Sequence, residues 1–325
     1  MTISRIGLIG LGKHGGRYAK HIQEDFPDLQ LAAVCRGNPE ALYRDAARTG
    51  ARGFADFHDL LQSGSCDAVV AVVPPHLHLA IVEGCCAAGL PLLLEKPAAI
   101  DLESARAMQR AVIDRPIPLM IAQTLRYSAV VRTLREHVPA VGRIASISLS
   151  QRFEPSRLDW LDDPARSGAG IVLHTGVHCF DLIRHLTGLR PRRVTAQASR
   201  VHTLATEDNC AATVELDGGA LATVSLARTT QGRSGHIELA GEFATLAGDH
   251  VLNTAQLVRG REATPLAVGE ALPTVREIIH DFVSHVRAGT AVPIPLREGL
   301  EAVAVSFACL ESARTGRTVD VPEIS

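Results

Sequence analysis

The sequence predicts an α/β protein of two domains: a doubly wound parallel sheet over residues 1–123, then an α+β domain with an open, mostly antiparallel sheet over residues 124–325. Three observations predict this fold. Short apolar runs alternate with helical patterns through the first third of the chain, and a glycine-rich turn directly follows the first run. After about residue 124, longer segments of alternating polar and apolar residues replace that rhythm.

The first domain contains five strand-like and four helix-like segments. The predicted strands are Ile3–Gly10, Leu29–Cys35, Asp67–Val73, Leu90–Glu95 and Leu119–Gln123. The predicted helices are Gly15–Glu24, Pro39–Thr49, His78–Ala88 and Asp101–Ile113. The run DAVVAVV at Asp67–Val73 is typical of a strand buried on both faces. Strands that alternate with helices indicate parallel pairing through right-handed crossovers.

The second domain shows a different pattern of short β segments. The predicted strand segments are Ile144–Phe153, Val194–Arg200, 214–226 with a hairpin turn at 217–219, His236–Leu239 and Ala255–Val258. Thr274–Ala288 and Arg297–Gly316 are predicted as closing amphipathic helices, and whether they pack back toward the first domain stays open.

Composition excludes several classes of function. A formal net charge of −2 gives no basic field for nucleic acid. No apolar run reaches the roughly 18 residues of a membrane helix, so no membrane partner is expected. Seven cysteines without regular spacing indicate reduced thiols and a cytoplasmic protein. The glycine-rich N-terminus predicts a strand and a turn rather than a signal peptide.

The hexapeptide Gly10-Leu-Gly-Lys-His-Gly15 fits the dinucleotide pattern G-x-G-x-x-G of a Rossmann domain. Gly10 permits a tight turn, Gly12 lets a pyrophosphate approach the backbone, and Gly15 lets helix and strand pack closely. The helix N-terminus that follows presents free N–H groups to the anion. Lys13 and His14 lie inside this loop and are predicted to contact the coenzyme.

The residue after the second strand indicates which dinucleotide is bound. Arg36 stands where a carboxylate would accept the ribose hydroxyls of NAD, and its guanidinium can grip a 2′-phosphate. NADP is therefore favoured, with NAD as the alternative, and Asn38 is predicted to lie at the same coenzyme site. The alternative role for Arg36 is stacking over the adenine ring without a phosphate to bind.

Four segments of the chain resemble the Gfo/Idh/MocA family of glucose–fructose oxidoreductase and inositol dehydrogenase. These segments are GLIGLGKHGG at the start, VVPPHLH at 72–78, Glu95-Lys96-Pro97, and GAGIVLHTGVHCFD at 168–181. Their order and spacing fit the family pattern over nearly the whole chain, and the E-K-P element is the most specific of them.

The resemblance implies hydride transfer between a nicotinamide and a carbon of a sugar, polyol or related small molecule. It implies that Lys96 and His178 lie near C4 of the nicotinamide, and that a cis peptide bond precedes Pro97. Pro74, His78 and Glu95 fall on these segments and are predicted to bind the coenzyme, although a neutral helix-cap residue without a ligand is equally supported for His78. The resemblance also implies that the open sheet supports a homodimer or homotetramer.

His174 and His178 lie four residues apart and would share one face of an α-helix. We expect no metal there, because two histidines without further ligands are only half of a zinc site. His178 is predicted to be the acid/base, with Lys96 stabilising negative charge on the same substrate oxygen. His174 stands where the family usually has aspartate; it is assigned to the catalytic site with altered chemistry, and the alternative is a packed helix residue.

Four further side chains are candidates for substrate contacts. Arg126 and Tyr127 resemble the Arg–aromatic pair of the family, for which a structural anchor is equally supported. Arg152 and Trp160 lie on the stretch that leads into the glycine-rich helix start, where loops commonly shape pockets.

The sequence thus predicts a cytoplasmic NADP-dependent oxidoreductase that acts on a sugar-like carbonyl/alcohol pair. Two alternatives stay open: an enzyme of the same fold that uses transient oxidation to cleave a glycosidic bond, and a dinucleotide-binding sensor or accessory protein without turnover.

Overall fold

The computed structural model describes residues 3–324, which form two compact units. The first unit comprises the described residues through Gln123 together with Pro273–Leu300 and Ile324. The second comprises Thr124–Leu272 and Glu301–Glu323.

The first unit is built on a six-stranded sheet in which all the strand pairs are parallel. The strands are β1 Arg5–Ile9, β2 Gln30–Cys35, β3 Arg52–Phe54, β4 Ala68–Ala71, β5 Leu92–Glu95 and β6 Leu119–Ala122. The intervening helices are α1 Gly15–Glu24, α2 Pro39–Thr49, α3 Phe57–Gln62, α4 His78–Ala88 and α5 Leu102–Asp114. The strand order is β3-β2-β1-β4-β5-β6, so the direction of winding reverses between β1 and β4.

This sheet confirms the predicted doubly wound fold and adds two short elements that the sequence pattern did not indicate. They are the three-residue strand β3 and the six-residue helix α3, both too short for a periodic signal. Every residue of β4 is buried, as the uninterrupted apolar run predicts. Asp101 caps α5 through a reciprocal pair of hydrogen bonds with Ser104.

The second unit contains a nine-stranded sheet in the order β14-β13-β12-β11-β7-β10-β9-β8-β15. Its strands are β7 Ile144–Arg152, β8 Pro191–Ser199, β9 Asn209–Leu216, β10 Leu221–Ala227, β11 Ser234–Gly241, β12 Thr245–Asp249, β13 Thr254–Arg259, β14 Glu262–Pro265 and β15 Val319–Asp320. Only β7 and β10 pair in parallel among these strands, which confirms a mostly antiparallel sheet. The predicted hairpin connects β9 and β10, and its turn uses positive φ at Gly218 and Gly219.

One face of this sheet packs on helices and the other is open over β8, β9 and β10. Along β9 and β10, residues alternate between buried and exposed, as expected for a sheet with one packed face. The helices that precede β8 in this unit are α6 Ala129–His137, α7 Pro164–Ser167 and α8 Val177–Thr187. The exposed positions include Ala211, Thr213, Glu215, Leu221 and Thr223.

Two helices close the chain, α9 Thr274–Ala288 and α10 Leu296–Thr315. Helix α9 belongs to the first unit, where Arg287 donates from Nε and Nη2 to the carbonyl oxygen of Ile3 at 3.0 and 2.6 Å. In the second unit, Ser312 of α10 accepts a hydrogen bond from the backbone N–H of Ala196 at 2.9 Å. Among residues 3–324, no helix has the length and apolar character needed to cross a bilayer.

His185 on α8 gives a testable dependence of stability on pH. Burial, followed by the charges of Arg126 and Arg135, lowers the pKa of this imidazole from 6.5 to about 3. Between these values the unfolded chain binds the proton and the folded chain does not, so the free energy of unfolding falls as the pH drops below about 6.5.

We expect His185→Gln to flatten this dependence, measured by urea unfolding at several pH values from about 7.5 to 4.5. The exposed His202→Gln is the matched control and should leave the slope unchanged. If the free energy of unfolding of His185→Gln depends on pH as steeply as that of the wild type, the attribution of this dependence to His185 is contradicted.

Candidate active site

The glycine loop after β1 has the geometry of an anion cradle. Gly10 has φ +93°, and a Cβ there would lie 2.2 Å from the carbonyl oxygen of Val72. A Cβ at Gly15 would lie 1.9 Å from the carbonyl oxygen of Gly10. At Gly12 a Cβ would meet nothing within 4 Å. The fold therefore requires the outer glycines, whereas the space at Gly12 fits the close approach of a pyrophosphate to the backbone.

Three alanine substitutions in this loop distinguish effects on protein stability from effects on dinucleotide affinity. We expect Gly15→Ala to lower the free energy of unfolding by about 2 kcal/mol or more, because its Cβ overlaps a backbone carbonyl. Gly12→Ala should fold normally and lower dinucleotide affinity by at least about tenfold, because the Cβ occupies the space of the pyrophosphate. Gly16→Ala is the control: its Cβ meets nothing within 4 Å, so folding and binding should both persist.

Urea unfolding and titration of NADH fluorescence measure the two effects. The interpretation of Gly12 fails if its alanine variant binds NADH as tightly as the wild type does.

Arg36 follows β2 directly and is tied to the glycine loop. Its Nη1 donates to the carbonyl oxygen of Leu11 at 2.9 Å and to Asp45 Oδ2 at 2.5 Å. Asn38 caps α2, where its Oδ1 accepts from the backbone N–H of Ala41 at 2.8 Å. Both residues thus have structural contacts, and their predicted coenzyme contacts stay predictions.

A buried carboxylate connects the glycine loop to the end of β5. Glu95 is 5% exposed; its Oε1 accepts from Tyr18 Oη at 2.6 Å and lies 2.8 Å from His14 Nε2. Burial raises the pKa of this carboxyl, but the hydrogen bond and charge of His14 and the charge of Lys96 outweigh burial and bring the pKa to about 2. An ionised carboxylate only accepts, so His14 donates to it.

Lys96 follows Glu95, and the loop that carries it is fixed by neighbouring segments. The backbone N–H of Lys96 donates to Glu95 Oε2 at 3.0 Å, and the peptide bond to Pro97 is cis, as the resemblance implies. The fully buried His78 has one ring nitrogen 3.1 Å from the carbonyl oxygen of Val73 and the other 3.3 Å from that of Ala98. Burial lowers the pKa of His78.

His78 thus joins the loops after β4 and β5, and Pro74 lies in the first of these at the start of the short turn Pro75–Leu77. The loops that follow β1, β2, β4 and β5 all lie at the carboxyl edge of the parallel sheet, where such sheets bind ligands.

Gln123 directly follows β6 at the same carboxyl edge of the sheet. It was not among the predicted site residues. Its side chain is 1% exposed, and its Oε1 has no hydrogen-bond partner within residues 3–324. A buried amide oxygen is normally satisfied, so this atom is a candidate acceptor for a ligand group.

In the second unit, Glu207 organises the start of the helix that carries both histidines. Its side chain accepts from the backbone N–H groups of Gly170 and Val172, each at 3.0 Å, and its carbonyl oxygen accepts from Ile171 at 2.8 Å. A Cβ at Gly170 would lie 1.8 Å from that carbonyl oxygen, so glycine is required there. Burial raises the pKa of Glu207, although the backbone hydrogen bonds oppose this effect.

His174 lies in a single turn of π-helix, Val172–Gly176, which precedes α8. The π turn corrects the expectation that both histidines belong to one regular α-helix, since it shifts the angular positions of the residues within it. His174 is 5% exposed, and its Nε2 donates to the carbonyl oxygen of Ser167 at 2.9 Å. Its ring makes a T-shaped contact with Trp160, with 5.3 Å between the ring centroids. Within residues 3–324, no cluster of histidine, cysteine and carboxylate side chains is arranged to hold a metal.

His178 lies in the first turn of α8, one turn before Asp181. Arg126 binds Asp181 through two hydrogen bonds, Nε to Oδ2 at 2.7 Å and Nη2 to Oδ1 at 2.5 Å. The exposed fractions of these side chains are 9% and 3%. Arg126 therefore anchors the helix of His178. The neighbouring Tyr127 is buried, with the guanidinium of Arg132 5.4 Å from its ring centre.

Arg152 is bound within the sheet of the second unit. Its guanidinium donates to the carbonyl oxygen of Ser225 at 2.7 Å and to Ser225 Oγ at 2.9 Å. Trp160, by contrast, is only partly buried beside His174. Substrate contact by Arg126, Tyr127, Arg152 or Trp160 stays a prediction.

Several residues form contacts in the candidate site that could hardly be predicted from the sequence. Tyr18 is four residues after His14 on the following helix, a spacing that could have indicated their contact, with ring centres 5.5 Å apart. The contacts of Asp45 with Arg36, of Asp181 with Arg126 and of Glu207 with Gly170 have no such signal, because the two residues of each pair lie on different elements of the chain.

Two family profiles match the chain. Residues 4–122 match "Oxidoreductase family, NAD-binding Rossmann fold", and residues 131–247 match "GFO/IDH/MocA C-terminal domain". Together these matches cover most of both units.

Named relatives cover the whole length of the chain. The rhizopine catabolism protein MocA of Rhizobium meliloti is 27% identical, over 96% of this chain and 95% of its own. Inositol 2-dehydrogenase of Rhizobium meliloti (strain 1021) is 25% identical, over 99% and 100%. A levoglucosan dehydrogenase solved in complex with NADH superposes with a TM-score of 0.91 at 22% identity, covering 99% of this chain and 100% of that one. This last likeness supports the fold.

Proposed function

This chain belongs to the GFO/IDH/MocA family of oxidoreductases with an NAD-binding Rossmann fold, and we propose that it is an NAD(P)-dependent dehydrogenase of sugars or polyols. The observation that carries the proposal is the connection of the glycine loop to Lys96 through His14 and Glu95. The backbone of Lys96 is thereby tied to a loop whose central glycine leaves space for a pyrophosphate, which supports the proposal.

The glycine loop and Lys96 then have distinct roles. The bound coenzyme supplies the acceptor or donor of a hydride. Gly12 admits its pyrophosphate, while Gly10 and Gly15 keep the loop compact. The ammonium of Lys96 stabilises the negative charge that develops on the reacting oxygen of the substrate.

We assign proton exchange with the substrate hydroxyl to His178, because an imidazole titrates near working pH. Glu207 and the Arg126–Asp181 pair position the helix segment from which His178 projects. The Nε2 proton of His174 is already donated to Ser167, so we assign His174 to the shape of the substrate pocket beside Trp160.

The substrate class follows from the relatives. One is an inositol 2-dehydrogenase and another a levoglucosan dehydrogenase, so polyols and sugars are the first compounds to test. Trp160 is suited to the apolar face of a sugar ring. Among the predicted substrate contacts, Arg126 and Arg152 serve first as internal anchors.

For the coenzyme, we propose NADP as the preferred form with NAD as the alternative. Support comes from Arg36, which directly follows β2. The levoglucosan dehydrogenase that this chain resembles is in complex with NADH, so both coenzymes belong in every assay.

We also propose that the protein is a cytoplasmic homodimer or homotetramer joined through the second sheet. The support is the open face of β8–β10, where Leu221 and small or polar residues such as Ala211, Thr213 and Thr223 are exposed beside the Arg193–Glu215 ion pair. Size-exclusion chromatography with light scattering tests this, and a monomer at micromolar concentration would contradict it.

The decisive experiment is a substrate panel with the purified protein and NAD⁺, NADP⁺, NADH and NADPH, followed at 340 nm. We expect stoichiometric coenzyme turnover with at least one inositol, aldose or anhydrosugar. Glycosidic bond cleavage without net coenzyme turnover would instead favour the glycosidase alternative. Tight coenzyme binding without turnover on any compound would favour a sensor or accessory protein.

A further inference from the structure

The buried carboxylate of Asp45 forms ion pairs with two arginines, one of which also donates a hydrogen bond to the glycine loop. Its oxygens lie 2.5 Å from Arg36 Nη1 and 3.0 Å from Arg48 Nη2. The Asp45 side chain is 13% exposed, against 34% for Arg36 and 54% for Arg48. The carboxylate is thus enclosed, while both guanidinium groups keep part of their surface in solvent.

The Asp45 carboxylate is charged at neutral pH. Burial raises the pKa of this carboxyl, but the hydrogen bonds and charges of Arg48 and Arg36 outweigh burial and hold the pKa below its ordinary value. The cluster therefore carries two positive charges and one negative charge.

Arg36 is oriented by these contacts. The nitrogen that binds Asp45 also donates to the carbonyl oxygen of Leu11, between the first two glycines of the loop. Within residues 3–324, Nε and Nη2 of Arg36 make no hydrogen bond. One edge of the guanidinium is held by the protein, and the other edge keeps its donors for an anion.

We propose that Asp45 is a residue that determines coenzyme specificity, because it fixes Arg36 and at the same time reduces the positive charge offered to a 2′-phosphate. The inference rests on the proposed function, in which the glycine loop binds NAD(P). It predicts that the preference between NADPH and NADH follows the net charge of the cluster of Arg36, Asp45 and Arg48.

Two substitutions change this charge in opposite directions. Asp45→Asn removes the negative charge but leaves an amide oxygen that can still accept from Arg36. Arg48→Gln removes a positive charge at an exposed position and makes the cluster neutral. Each step should change the ratio of dissociation constants, NADH over NADPH, by about three- to tenfold, as expected for one elementary charge near a surface phosphate at low salt.

The experiment titrates the purified full-length protein and both variants with NADPH and NADH, using nicotinamide fluorescence at about 20 mM and 300 mM salt. We expect Asp45→Asn to raise the ratio and Arg48→Gln to lower it, through changes in NADPH binding at nearly constant NADH binding. Both effects should shrink at the higher salt concentration. Glu103→Gln is the matched control, since it removes one negative charge from an exposed position of the same unit.

An unchanged ratio in both variants, with both coenzymes still bound, would overturn the inference and leave the proposed function intact. A wild-type protein that binds neither coenzyme would overturn the proposed function itself. Because Arg48 is exposed, its variant keeps the inference testable even where Asp45→Asn fails to fold.

Discussion

Replacing Lys96 by alanine is expected to lower kcat by about 10²–10⁴-fold, the range for loss of a group that stabilises transition-state charge or transfers a proton. Coenzyme affinity should change little, because the pyrophosphate contacts that we propose belong to the glycine loop. The measurement combines steady-state kinetics on the substrate found in the panel with NADH fluorescence titration.

Lys13→Ala is the matched control for this variant. Lys13 is an exposed lysine in the glycine loop, so its removal should weaken coenzyme binding without a comparable loss in kcat. His178→Asn should also lower kcat and remove one limb of the pH–rate profile, since the role that we propose for His178 is proton exchange. A kcat within about threefold of wild type in Lys96→Ala would refute the role assigned to the lysine.

The largest effect on stability is expected from Arg126→Ala, which should lower the free energy of unfolding by about 3–5 kcal/mol. The reason is the burial of Asp181, whose side chain is 3% exposed and would lose its bidentate partner. Urea unfolding of wild type and variant measures the loss.

Two further variants test the cause of this loss. The double variant Arg126→Met, Asp181→Leu should recover most of the stability, since well-packed apolar residues can replace a buried ion pair. Arg193→Ala breaks an ion pair with Glu215 whose side chains are 50% and 48% exposed, and it should cost less than about 1 kcal/mol. Equal losses in Arg126→Ala and Arg193→Ala would show that burial of the pair is not the cause.

The sequence predicted elements that have a long or strictly placed local pattern. β4 was visible as an apolar run and the β9–β10 turn as Asp217-Gly218-Gly219. β3 and α3 were missed because they are too short for periodicity to appear. The π turn before α8 was missed because its residues differ little in composition from those of an α-helix.

The candidate site likewise contains some features that have a local sequence pattern and others that do not. Gly10, Gly12 and Gly15 were predicted from their short, fixed spacing, and Lys96 was predicted from the resemblance to the family. Their contacts with coenzyme and substrate stay predictions. The assignment of Arg36 was incomplete, because sequence position indicated a phosphate ligand but not the carboxylate that shares its charge.

By itself, the sequence determined the alternation of strands and helices in the first unit apart from β3 and α3, the glycine loop, and the position of Lys96 after a buried strand. Neighbouring residues specify such features through backbone conformation and periodic burial. Only the tertiary structure decided that Glu95 binds His14, that Asp45 binds Arg36, and that Glu207 caps the segment of the two histidines. The physical reason is that these partners stand 81, 9 and 37 residues apart, so their contacts depend on how whole elements pack.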